Sequence, residues 1–291
     1  MAFLTLNEIL ADCRSDEARP WAVPAFDVIN METVAAVVQG AAAEKAPVIV
    51  MVYPNHTPLP QWPGLVALIG AEAERAGVPV CLHLDHAGEL EQIRAAIDLG
   101  FSSVMLDAST RPLAENIALT RQAVEEAHAR GVSVEAELGH VGSGDEVLSE
   151  AEAASRLTRV EEAAQFISET DVDALAVAVG TAHGLYRGEP DLDFERLRAL
   201  SQVVPVPLVL HGGSDTPDED VRRAIEEGIS KVNIWTEVRL AFIEILKDGL
   251  DVPVERCQLH EALAAARASA QEVVRRKVRL LGAAGRGDYH G

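Results

Sequence analysis

Residues 46–52, APVIVMV, and residues 204–210, VPVPLVL, are apolar runs without the alternation of a half-buried strand. Continuous runs of this kind belong to strands covered on both faces, the environment of a parallel sheet. Comparable runs recur on either side of them. Strands are predicted at Trp21–Phe26, Pro47–Tyr53, Val78–Leu84, Ser102–Leu106, Val132–Leu138, Asp173–Val179, Val206–Leu210 and Lys231–Ile234. Stretches of helical periodicity separate them, which is the alternation of βα units. Eight such strands close a barrel. The expected fold class is α/β, a TIM (β/α)8 barrel, formed as one domain over residues 1–291. A doubly wound open sheet competes, but no GxGxxG follows the first strand and no composition break marks a second domain.

Past residue 250, the turn DVPV leads into an Ala/Arg/Glu-rich stretch, Glu255–Leu280, read as an additional long C-terminal helix. The Gly-rich tail GAAGRGDYHG (282–291) is expected to be mobile. The 291 residues carry 25 Lys and Arg against 46 Asp and Glu, a net charge of −21. With no basic run, this balance argues against nucleic acid and against anionic membrane surfaces as partners. It also requires any bound phosphate to be held by local groups against the overall field. Cys13, Cys81 and Cys257 are odd in number and lack metal-ligand spacing, so structural disulfides are not expected. The N-terminus has no cationic stretch ahead of an apolar one, and no window is apolar enough to span a bilayer. A cytoplasmic location is the expectation.

Active sites of such barrels sit at the carboxyl ends of the strands, so the terminating residues are informative. The runs end in or lead to Asp27, Asp85–His86, Asp107, Glu137, His183, His211 and Asn233. A lone polar residue in such a place is more often a cap or turn former. Together, however, they gather three histidines and several carboxylates on one rim. Three neutral imidazoles with an open position form a common catalytic zinc shell, which makes His86, His183 and His211 candidate ligands. Gly184 and Gly212 directly follow two of them and admit backbone amides to a ligand. In strict alternation His83 shares a face with Asp85, opposite His86. His56, His83, His128, His140, His260 and His290 lack a comparable setting. The segments GTAHG (180–184), HGGSD (211–215) and NIWTE (233–237) supply small residues, hydroxyls and helix N-termini where barrels commonly hold phosphate, and Arg187 adds a cation.

These segments together resemble the class II, metal-dependent ketose-bisphosphate aldolases, in the shorter branch that contains tagatose-bisphosphate and many bacterial fructose-bisphosphate aldolases. LDH (84–86), GTAHG and HGGS in this order carry the resemblance, which extends from residue 24 to about 245. It implies reversible aldol cleavage of a ketose phosphate to dihydroxyacetone phosphate and an aldehyde, with zinc polarising the carbonyl and stabilising an enediolate. His86, His183 and His211 match the metal ligands, Glu137 an alternative metal contact and Asp107 a pocket carboxylate. Asp85 matches the residue that moves the C4 hydroxyl proton, and Asn233 the one that positions the dihydroxyacetone part. The acidic loop that exchanges a proton at C3 falls on GHVGSGDE (139–146), leaving Asp145 and Glu146 as alternatives. Asp27, Gly184, Arg187, Gly212, Ser214, Asn233 and Thr236 form the implied substrate and phosphate set, with a monovalent cation near the phosphate. One zinc ion per subunit and a homodimer or homotetramer are further implications.

Four positions depart from the family pattern: Tyr53 with PNHTPLPQWP (54–63) where a serine and a small, flexible segment stand, Asp215 for glycine, Trp235 for a small or acidic residue, and Asp27 for asparagine. Asp215 is expected to repel a second anion, so the substrate is expected to be altered or less phosphorylated. An epimerase or isomerase sharing the enediolate is the alternative chemistry. A non-catalytic partner subunit is a third reading, disfavoured because Asp85 and all three histidines are present.

Overall fold

Val23–Asp27 (β1), Val48–Val52 (β2), Val80–Ala87 (β3), Ser103–Leu106 (β4), Ser133–Leu138 (β5), Ala174–Val177 (β6), Leu208–Leu210 (β7) and Ile229–Ile234 (β8) pair in chain order. All pairs are parallel and the eighth strand meets the first, so the sheet closes with no free edge. Val23 stands opposite Lys231 and Ala25 opposite Asn233 across the seam. The structure is a computed structural model that describes residues 3–13, 20–144, 146, 149–186 and 190–287. Asp145 and Arg187, named above as candidate site residues, lie outside the described residues.

The helices are Leu6–Leu10 (α1), Met31–Ala43 (α2), Trp62–Ala76 (α3), Leu90–Asp98 (α4), Leu113–His128 (α5), Glu150–Arg156 (α6), Val160–Thr170 (α7), Phe194–Val203 (α8), Asp218–Glu226 (α9), Thr236–Leu250 (α10) and Leu259–Leu280 (α11). With helices outside and side chains filling the inside, the strands are buried on both faces. His86 is the one strand residue that keeps partial exposure. This explains why the strand-forming runs are unbroken in apolar residues. Among the described residues no helix is long and apolar enough to cross a membrane. The three cysteines are free.

Among the local differences from the sequence expectation, two bear on side-chain placement and packing. First, β3 runs to Ala87, three residues past the predicted end, and its register against β4 shifts between Leu84 and Ala87. His86 in this irregularity has φ 45°. The left-handed residue breaks the alternation that would send Asp85 and His86 to opposite faces, so these adjacent side chains line one cavity. Second, the tail from Gly282 to Gly287 is packed rather than mobile. Ala283 is buried, Gly285 N–H donates to Glu44 O at 2.8 Å and Gly287 N–H to Lys45 O at 2.7 Å.

The C-terminal helix begins at Leu259, because Pro253 is followed by a 3-10 turn at Val254–Arg256. Ala262, Ala266, Ala270, Val274 and Val278 recur every fourth residue as its buried stripe. The small residues let α11 press closely on α2: a Cβ on Gly40 would sit 2.8 Å from Val274 Cγ1.

Candidate active site

A cavity of about 680 Å³ opens at the carboxyl end of the barrel, and all eight strands or the loops after them contribute to its wall. Asp27 comes from β1, Tyr53 and His56 from the loop after β2, and Asp85 and His86 from β3. Asp107 follows β4, and His140 to Ser143 follow β5. His183 and Gly184 follow β6, Gly212 and Ser214 follow β7, and Asn233, Trp235 and Thr236 complete the ring. Most of the candidate residues picked from strand ends therefore meet in one place.

The rings of His86, His183 and His211 have centroids 4.6–5.6 Å apart, and one nitrogen from each lies within 4.8 Å of the others. Two rings are oriented by carboxylates. His86 Nδ1–H donates to Asp107 Oδ2 at 2.7 Å, and His211 Nε2–H donates to Glu135 Oε1 at 3.0 Å. The opposite nitrogens, His86 Nε2 and His211 Nδ1, consequently face each other at 2.9 Å. Carboxylate-backed imidazoles turned toward a common point are the usual support for a metal ligand. Glu137 lies beneath them. Its Oε1 accepts from Val141 N–H, whereas its buried Oε2 has no hydrogen-bond partner and stands 3.6 Å from His211 Nδ1. His86, Asp107 and Glu137 form a second converging donor group. Three imidazole nitrogens and an orphaned carboxylate oxygen fit a divalent cation of borderline softness such as zinc.

The charges are arranged unevenly. Burial works against protonation of His86, but the charge of Asp85, the hydrogen bond to Asp107 and the charge of Glu137 outweigh it and lift His86 to about 10. Asp107 is buried as well, yet its bond to His86 holds it well below the usual carboxylate range. His183 is pushed down by burial and by the neighbouring His86 and His211. Asp27 is pushed up by burial and by Asp85, which favours a neutral carboxyl where the family pattern has asparagine. Asp27 Oδ1 and Asn233 Oδ1 are buried without partners, while Asn233 Nδ2 donates to Asp85 Oδ1 at 3.1 Å.

Below this ring lies a polar layer that reading strand ends misses. Lys231 Nζ reaches Glu135 Oε2, and His83, fully buried, bonds Ser103 Oγ through Nδ1 at 2.8 Å. Burial and then the Lys231 charge hold His83 down to about 3, so it is neutral. His56 and His140, whose sequence setting carries no signal, and Arg239 also line the cavity. His140 Nδ1 lies 3.1 Å from Ser109 Oγ and 3.7 Å from Glu137 Oε1.

The remaining candidates divide. Glu146 lines the cavity, but its carboxylate pairs with Arg156 at 2.6 Å and accepts from Ser143 N–H at 3.0 Å. Ser214 Oγ accepts from Trp235 N–H and Glu237 N–H at the start of α10. Gly184, at φ 95°, has open space where a Cβ would be. At Gly212, φ 72°, a Cβ would collide with the Ala182 carbonyl, so glycine here serves the approach of two loops. Asp215 does not line the cavity: its Oδ2 accepts from Tyr186 N–H at 3.0 Å. The carboxylate next to Ser214 thus holds a neighbouring loop instead of facing the cavity. Tyr53, His56 and Trp235 instead build an aromatic wall, with His56 4.7 Å from Tyr53 and 5.4 Å from Trp235 between ring centroids.

The fold and this ring of residues agree with relationships to known proteins. The chain superimposes on the YdjI aldolase of Escherichia coli K12 with a TM-score of 0.85, at 32% identity over 98% of this chain and 100% of that one. The fructose-bisphosphate aldolase of Campylobacter jejuni shares the fold, with a TM-score of 0.82 at 23% identity over 97% and 96% of the two chains. The sequence profile of fructose-bisphosphate aldolase class-II matches residues 5–286. With that match over nearly its whole length, the chain belongs to the class II fructose-bisphosphate aldolase family and is an aldolase, a carbon–carbon lyase.

Proposed function

We propose that this aldolase cleaves a ketose phosphate reversibly to dihydroxyacetone phosphate and an aldehyde, with a zinc ion held by His86, His183 and His211. The observation that carries the reading is the convergence of the three ring nitrogens, two of them backed by carboxylates, beside Asp85. When bound, the ion supplies a Lewis acid for the ketose carbonyl. Asp85, steadied by Asn233, takes the proton of the C4 hydroxyl in cleavage and returns it in condensation. Glu137 and Asp107 balance the charge around the donor set. Either Asp145 or Glu146 exchanges the proton at C3 from the loop after β5. A neutral Asp27 donates a hydrogen bond to a substrate hydroxyl.

The dihydroxyacetone phosphate end fits the loops after β6, β7 and β8. Gly184, Gly212 and Thr236 supply amides, and Arg187 with a monovalent cation adds positive charge. The Ser214 hydroxyl, which accepts from two amides, keeps its proton to donate. The aldehyde end meets the aromatic wall of Tyr53, His56 and Trp235, which supports a substrate altered or less phosphorylated there than fructose bisphosphate. Ile243, Val254 and Leu259 leave apolar surface along α10 and α11, and a homodimer or homotetramer would cover it.

Chelation followed by zinc addition tests the core of this reading. Release of dihydroxyacetone phosphate should stop and then recover. Undiminished cleavage by metal-free protein would refute the zinc role, and ketose interconversion without any C3–C4 cleavage would refute the aldol reaction.

A further inference from the structure

The loops after β6 and β7 carry His183 and His211, and the first of them is tied to its neighbours by both backbone and side-chain groups. The polypeptide itself supplies one attachment: His183 N–H donates to Gly142 O at 2.8 Å, and Gly144 N–H donates to His183 O at 2.6 Å. The other attachment comes from Tyr186 and Asp215. Tyr186 N–H donates to Asp215 Oδ2 at 3.0 Å, the Tyr186 hydroxyl accepts from Ala182 N–H at 2.9 Å, and it reaches Gly212 O and Thr216 Oγ1 at 3.3 and 3.2 Å. Asp215 is in turn anchored through its own backbone. Its N–H donates to Glu237 Oε1 at 3.1 Å, and Glu237 is held by Arg276 and by the buried Lys277, whose Nζ lies 2.5 Å away. A hydrogen-bonded chain thus runs from α11 through α10 and the loop after β7 to the loop that carries His183.

We infer that Tyr186 and Asp215 form a latch that positions His183, so that Asp215 is a positioning residue. Its backbone, at φ 60°, occupies the conformation that suits the glycine of the family pattern. Asp215 keeps that turn and adds an acceptor that glycine lacks. The role of His183 in this inference rests on the proposed zinc shell, whereas the latch itself does not.

The test compares Asp215→Gly, which the positive φ accommodates, with Asp215→Asn, whose side-chain oxygen still accepts from Tyr186 N–H. Hydrogen exchange measured on the full-length protein over residues 181–186 should be about tenfold faster in Asp215→Gly, with barrel strands unchanged and Asp215→Asn close to wild type. Zinc affinity, by competition with a chromogenic chelator, should weaken about three- to tenfold in Asp215→Gly and less than twofold in Asp215→Asn. Tyr186→Phe, which loses the hydroxyl bonds, should also speed exchange. Unchanged exchange in Asp215→Gly, or equal effects of Gly and Asn, would overturn the latch. Faster exchange with unaltered zinc affinity would keep the latch and overturn its link to His183. A wild-type protein that binds no zinc would refute the metal reading, leaving exchange to judge the latch.

Discussion

Lys231 Nζ lies 2.7 Å from Glu135 Oε2 inside the barrel, and neither side chain has any exposed surface. The other oxygen of Glu135 takes the Nε2–H of His211. The ion pair therefore reaches the cavity indirectly, by fixing which nitrogen of His211 turns toward His86.

Lys231→Met should destabilise the protein by about 3–5 kcal/mol, because it leaves Glu135 buried and uncompensated. Adding Glu135→Gln to that variant should recover part of the loss. Urea unfolding of the two variants checks this; a loss below about 1 kcal/mol in Lys231→Met would contradict the prediction.

The metal-free protein should lose stability at both ends of the pH scale through the His86–Asp107 pair. His86 is raised from 6.5 to about 10, so its contribution is complete below pH 6.5 and is lost as pH climbs through 10. Asp107 is depressed from 3.8, so its contribution is present above that value and is lost as pH falls below it. Urea midpoints in chelator should be highest between these limits. Zinc must displace the proton that His86 holds up to about pH 10, so zinc affinity should rise as pH increases from neutrality toward that value.

Glu146 is occupied by Arg156 and the Ser143 amide. Asp145→Asn is therefore expected to lower turnover about a hundredfold or more, the scale of a lost general base, and Glu146→Gln less than tenfold. Exchange of the C3 proton of dihydroxyacetone phosphate with solvent measures the step directly. The reverse order would assign the base to Glu146.

Tyr53 and Trp235 should make fructose bisphosphate a poor substrate. Tyr53→Ser opens the wall and restores the family's side chain, and kcat/KM for the bisphosphate should rise about tenfold, the scale of pocket-shape discrimination. Wild-type turnover equal to that of the variant would remove the wall from the account of specificity.

The barrel was legible because its strands are covered on both faces and so read as unbroken apolar runs. Strand ends were legible for the same reason, since the first polar residue after such a run reaches the rim. His86 defeated simple alternation because a left-handed residue in a register shift brings it beside Asp85. The inner layer is less legible because its residues lie within the runs and not at their ends. His83 lies two residues before Asp85, Glu135 two before Glu137, and Lys231 two before Asn233. Period-two spacing, which puts His83 on the face of Asp85, puts Glu135 and Lys231 likewise on the faces of their rim partners, one level deeper. Asp215 differs in another way: its charge is legible, but its direction depends on the backbone amide of a residue in a different loop.

The seam between β1 and β8 also governs how this molecule comes into being. Val23 finds Lys231 only when most of the chain is available, so the first strand spends synthesis without its second neighbour. Loop-closure entropy makes such distant pairing slow, and exposed strand edges invite association in the meantime. The two candidate ligands latest in the chain, His183 and His211, precede that seam. The donor set is thus fully synthesised before the ring of strands can close around it.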